Sequence, residues 1–200
     1  MIKERRTRLV VVVLVALALA VFLLPGCGKN ASAPALGTGP TALDNLMPAR
    51  SSLSTMTPDA KLLVVRLAED TTPTATPVWT FVFGSPSTDK QYVVHLTKGL
   101  LMAAQEYGTV GLSSSEWAKV PGTDPWRIDS DAAYTKALAA SGVSGSPAKY
   151  MMGLETYKSS TDTSTVEPFV WRVLLYPRAS GEATIRVDVN ATTGETSVRK

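Results

Sequence analysis

Sixteen consecutive apolar residues, Leu9–Leu24, follow a short basic stretch, Met1–Arg8. From Thr41 onward the apolar positions become periodic. Leu43, Leu46, Met47, Leu53 and Met56 fall roughly on one side of a helix over about Thr41–Met56, with Pro48 interrupting its ladder or resetting its start. A second helix reads more clearly. Ala133, Tyr134, Ala137, Leu138 and Ser141 make a narrow stripe at helical spacing. Ser130 is placed to cap it, Asp129 and Asp131 sit beside its positive end, and Gly142 stops it. Elsewhere the period is two. Tyr92, Val94 and Leu96 share one face while Val93 and His95 take the other; Ile185, Val187 and Val189 oppose Arg186 and Asp188 in the same way. This register matches His95 with Asp188 and predicts that both face solvent.

The segments repeat in order. Leu62–Ala68 corresponds to Tyr150–Tyr157 at an offset of 88, Trp79–Phe83 to Trp171–Leu175 at 92, and Tyr92–Leu96 to Ile185–Val189 at 93. A repeat this long is a duplicated subdomain, not a solenoid unit. Turn-forming loops at Thr71–Pro77, Pro86–Asp89, Ser159–Thr165 and Arg178–Glu182 separate the strands. The pattern predicts an α+β fold: two tandem helix-plus-three-strand antiparallel repeats, with the helices packed on one sheet face. The expected boundaries are a leader at 1–26, a flexible tether at 27–41, a first repeat at 42–108, a linker at 109–127 and a second repeat at 128–200.

Composition changes the picture at the N-terminus. The net charge of +3 resides entirely in residues 1–26, through Lys3, Arg5, Arg6 and Arg8 against Glu4; the remainder balances 16 basic with 16 acidic residues. No footprint for nucleic acid remains. The basic end, apolar run and small residues form an export signal. Two other readings are an uncleaved membrane anchor, for which sixteen residues fall short of the ~20 a bilayer needs, and an ordinary secretory signal. The segment Gly28–Thr41, rich in Gly, Pro and small residues, is a spacer.

Leu24-Pro25-Gly26-Cys27 contains the only Cys of the chain and resembles the lipobox of bacterial lipoproteins. The resemblance implies acylation of Cys27, with palmitate-type chains as the membrane contact and an extracytoplasmic, lipid-anchored location. Pro25 departs from the usual small or aliphatic residue at its place. Farther on, Trp126-Arg127-Ile128-Asp129-Ser130-Asp131-Ala132-Ala133 looks like the opening of the helix in PepSY-like domains, and Val187–Glu195 looks like their closing hairpin. That resemblance covers about 126–198 and, through the repeat, extends more weakly over 41–100. It implies a noncatalytic, exported, accessory or inhibitory module. The tandem layout is also similar to beta-lactamase-inhibitor-protein architecture, at the level of fold alone.

Candidate chemistry is sparse. One His and one Cys cannot supply a zinc site, and His95 in mid-strand reads as a sheet histidine. Asp124, Asp129 and Asp131 approach calcium-ligand spacing, but a helix cap accounts for them. Glu69-Asp70 at a strand end reads as solvated charge. No phosphate loop is present, so no cofactor or metal is expected. Trp79 and Trp171, matched in the repeat, are expected in the core. Trp117 and Trp126 lie in the linker, where they either pin it down or present a partner-binding edge.

The expected function is a noncatalytic lipid-anchored cell-envelope binding or accessory module, modulating an envelope protease or other enzyme, with an envelope protein as its partner. The alternatives are a structural subunit of an envelope complex and an enzyme with an unrecognised site.

Overall fold

The structure, a computed structural model, describes residues 40–68, 71–158, 167–178 and 185–199. The leader, Cys27 and the tether up to residue 39 lie outside the described residues, as do Glu69-Asp70 and the loops at 159–165 and 179–182. Among the described residues the chain order is α1 (Ala42–Leu53), β1 (Lys61–Leu67), β2 (Val78–Gly84), β3 (Lys90–Thr97), β4 (Leu100–Thr109), α2 (Ser114–Trp117), α3 (Ser130–Ser141), β5 (Lys149–Glu155), β6 (Val170–Tyr176), β7 (Ile185–Asn190) and β8 (Thr196–Arg199). The eight strands form one antiparallel sheet in the order β4-β3-β2-β1-β5-β6-β7-β8.

This corrects the expected α+β pair of helix-plus-three-strand repeats. The fold is β-rich, a single sheet with three helices among the described residues. Two features account for the difference. First, β1 pairs with β5 (Val65 opposite Leu154), so the halves share a sheet instead of each owning one. Second, each half carries a fourth strand. Lys98 and Gly99 both have positive φ, 52° and 75°, as a two-residue type I′ turn demands, and the chain returns at once as β4. Its sequence, Leu-Leu-Met-Ala-Ala-Gln-Glu, is made of helix formers and shows no alternation. As an edge strand, β4 is largely exposed on both faces, so no period-2 signal is written into it. Two register shifts against β3 twist this edge, a device that discourages pairing with other chains.

The buried face carries Trp79, Phe81 and Phe83 from β2, Tyr92, Val94 and Leu96 from β3, and Trp171, Val173 and Leu175 from β6, all in one core cluster. α1 packs on β2, β3 and β4, and α3 on β6, β7 and β8. In α1 the inward residues are Ala42, Asn45, Leu46, Ala49 and Leu53, whereas Met47 and Met56, expected inside, are 66% and 50% exposed. Small residues on this face let the helix approach the sheet closely. Pro48 sits within α1, and Thr41 and Asp44 form a capping box ahead of it. The N-cap of α3 is Asp129, one residue before the expected Ser130.

The two helices are capped together. Asp129 Oδ1 accepts from Ser130 N at 2.6 Å and from Leu43 N at 3.1 Å, while Ser130 Oγ accepts from Ala42 N at 3.0 Å. The first-turn donors of α1 are thus satisfied by the start of α3, 86 to 88 residues away.

Candidate functional site

The opposite face of the sheet carries no long helix of the two that cover the core, and its residues are mostly half-buried. One row of register partners crosses all eight strands on this face: Ala103, His95, Thr80, Arg66, Gly153, Arg172, Asp188 and Ser197. Alternation along each strand puts these side chains on the side away from the core. The row is polar from His95 to Ser197 except at Gly153, where it has a gap.

His95 Nδ1 and Thr80 Oγ1 lie 2.9 Å apart, a cross-strand hydrogen bond that accounts for the histidine. Asp188, expected to face solvent, is only 7% exposed. Arg186 binds it through a two-toothed contact, Nε to Oδ1 and Nη2 to Oδ2, both at 2.8 Å; Arg199 Nε adds a third bond to Oδ2 at 2.9 Å. Three charge-assisted hydrogen bonds from two guanidiniums hold this carboxylate in place. Arg172 stands directly across from Asp188 but makes no hydrogen bond among the described residues, and its Nε is shut off from solvent. Arg172 therefore keeps a buried donor unspent, an arrangement that costs free energy unless some acceptor meets it.

Around these residues lies a recess of about 570 Å³, lined by Arg172, Arg186, Asp188 and Arg199 and by Glu167 and Glu195, both exposed. A second recess of about 300 Å³ adjoins it at Arg172. Gly153 opens this notch, and Val64, Met151, Val170 and Leu174 give it apolar walls, with Arg66 and Glu155 also lining it.

The two linker tryptophans are both buried, at 4% and 5% exposure. Trp117 donates its indole N–H to Asp89 Oδ1 at 3.1 Å and lies so close to Gly84 that a Cβ there would overlap the ring. Asp89 also accepts from Gly111 N and Leu112 N, so it ties the exit from β4 to α2. Trp126 donates to Ile128 O at 3.1 Å and stands edge-on to Trp171, with ring centroids 5.6 Å apart. Of the two roles the sequence leaves open, this geometry supports fastening: neither ring is presented to a partner.

The other candidates are structural. Asp129 caps helices, and Asp131 binds Ala132 N at 2.7 Å. No group of three His, Cys, Asp or Glu suited to a metal ion occurs among the described residues. Asp59 has its pKa lowered to about 2. Desolvation pushes this carboxylate up, but donors from the Ser87 backbone and from the hydroxyls of Ser85, Thr57 and Ser87 together outweigh it. Those contacts clamp the β2–β3 turn.

Sequence reasoning missed Arg172, Arg186, Asp188 and Arg199 as a group. Alternation assigns Arg172, Arg186 and Asp188 to the outer face, a usable signal. What brings them together is register between separate strands, which no local pattern encodes.

Comparison with known proteins adds a likeness of fold. No family model matches the chain, and a search of curated proteins finds no match. Among solved structures, the chain is similar to a crystal structure named "a putative lipoprotein" from Clostridium difficile 630, with a TM-score of 0.50 and 11% sequence identity, covering 74% of this chain and 88% of that one. The fold is therefore one also found in a protein described as a lipoprotein. Among the described residues no helix is long and apolar enough to cross a membrane.

Proposed function

We propose that this chain is a lipid-anchored module of the cell envelope that acts by binding rather than by catalysis, tethered through Cys27 and meeting its ligand on the sheet face opposite the core. The observation that carries the reading is the position of the only Cys, directly after an export signal and before a Gly- and Pro-rich spacer. The fold shared with the clostridial structure supports it. So does the outer face, whose arginines and apolar notch form a concave surface. Two acyl chains on one Cys would suffice for stable anchoring, since a single chain holds only reversibly. The motifs at Trp126–Ala133 and Val187–Glu195 favour a PepSY-like origin, and with it an accessory role toward an envelope protease or other enzyme.

The test replaces Cys27 by Ser in cells fed labelled palmitate. The wild-type chain should carry the label and sediment with membranes, and the variant should lose the label and leave the membrane fraction. A variant that stays in the membrane and is processed at the same point would show that lipid at Cys27 is not the anchor.

A further inference from the structure

We infer that the twin recess on the outer face is a binding site for a carboxylate with an adjoining apolar group, as at the C-terminus of a peptide ending in an aliphatic residue. The inference rests on the reading of the chain as a binding module and names the ligand chemistry of that face.

Three guanidiniums, Arg172, Arg186 and Arg199, line the first recess together with three carboxylates, of which Asp188 is the buried one and Glu167 and Glu195 are exposed. Arg186 and Arg199 already spend Nε donors on Asp188. Arg172 spends none among the described residues, although its cross-strand partner is that same Asp188. Asp188 thus fixes the two flanking guanidiniums and neutralises part of their charge, which leaves the third as the recognition group. A planar guanidinium matches a carboxylate in a forked geometry.

The surroundings select among anions. Glu167 and Glu195, with Asp188, balance the three arginines of the lining, so a polyanion such as a phosphate chain meets repulsion that a singly charged group escapes by pairing with Arg172 alone. Arg172 is also the wall shared with the notch at Gly153, where Val64, Met151, Val170 and Leu174 supply apolar surface. A ligand whose carboxylate meets Arg172 would therefore place a short aliphatic group in that notch. Gly153 is what keeps the notch open. A Cβ at this position would lie 3.4 Å from Arg66 Cγ and from Val65 O, an ordinary contact, so the fold does not require glycine there for lack of space. In mid-strand, glycine weakens pairing and marks a place of close approach.

The experiment is calorimetric titration of the full chain in detergent at ~0.15 M salt, where exposed charges are screened beyond about 8 Å. The probes are 4-methylpentanoate, N-acetyl-Ala-Ala-Leu with a free carboxylate, the same peptide as its C-terminal amide, and inorganic phosphate. The peptide acid should bind saturably and the amide about tenfold or more weakly, the loss of one charge-assisted contact. Arg172→Gln should weaken the acid by a similar factor. Gly153→Val, which keeps every arginine and fills the notch, should also weaken it while leaving the melting temperature unchanged or higher. If 4-methylpentanoate binds as tightly as the peptide acid, the site is assigned to a free small acid; if the peptide binds more tightly, to a peptide terminus. The assignment is overturned if no carboxylate probe binds, if the amide equals the acid, if phosphate binds more tightly than both acids, or if both variants bind like the wild type. Because the detergent titration does not depend on anchoring, its failure is separable from failure of the Cys27 test.

Discussion

Tyr134 on α3 and Tyr150 on β5 meet with ring centroids 4.6 Å apart, and neither hydroxyl has a hydrogen-bond partner among the described residues. Burial raises the Tyr134 pKa from 10.0 to about 12, and burial followed by the neighbouring phenol raises that of Tyr150. A phenol whose folded pKa lies above its unfolded one contributes its full stability below the unfolded value, and that contribution is lost as pH climbs through the folded one. Stability should therefore fall as pH rises above about 10, the ordinary tyrosine value. The Tyr134→Phe, Tyr150→Phe double variant should flatten this alkaline fall. At neutral pH it should be as stable as the wild type or more so, by up to about 1 kcal/mol, because two unsatisfied buried hydroxyls are removed while ring packing is kept. Urea midpoints at pH 7 and pH 11 check both statements. A clear loss at pH 7 would mean that the hydroxyls have partners after all.

Helix ends and strand edges decide the elements. α1 is a poor helix on its own account, with Pro48 in its body and only Leu46 and Leu53 as large apolar residues on its inward face. It is held by caps, one of them borrowed from α3. Asp129→Ala removes the acceptor for donors at the start of both helices, Ser130 N and Leu43 N. With each cap worth about 0.5–2 kcal/mol, the variant should lose about 1–3 kcal/mol by chemical denaturation. A loss of a few tenths only would show that water replaces the carboxylate and that the shared cap contributes nothing. β4 makes the converse point. Its residues favour a helix, and the turn at Lys98-Gly99 together with pairing to β3 overrides that preference.

At the scale of the molecule, three indoles stand where the halves join. Trp79 and Trp171 are both fully buried and edge-on, with centroids 6.4 Å apart, and Trp126 is edge-on to Trp171. Trp79 donates to Pro40 O at 3.1 Å and Trp171 to Ile128 O at 2.8 Å, so each ties a strand to the residue two before a long helix. One sheet and one core predict one cooperative transition. Trp79→Ala or Trp171→Ala should each cost about 3–5 kcal/mol, and in each variant far-UV circular dichroism and the fluorescence of the remaining tryptophans should report the same midpoint. Two separated midpoints would show that the halves unfold independently.

What the sequence by itself determined is local. The apolar run closing on Cys27 is a linear signal. Alternation in Tyr92–Leu96 and Ile185–Val189 marks strands because successive side chains take opposite faces, and the matched Trp79 and Trp171 lie in the core because each sits on the apolar face of such a strand. The tertiary structure decided everything that depends on residues far apart in the chain. The pairing of β1 with β5 turned two expected units into one sheet. Edge exposure hid β4, since a strand open on both faces carries no alternation. The site at Arg172, Arg186, Asp188 and Arg199 exists only through the register of three antiparallel strands. Period two places each of its residues on a face, and only pairing between strands sets which neighbour it meets.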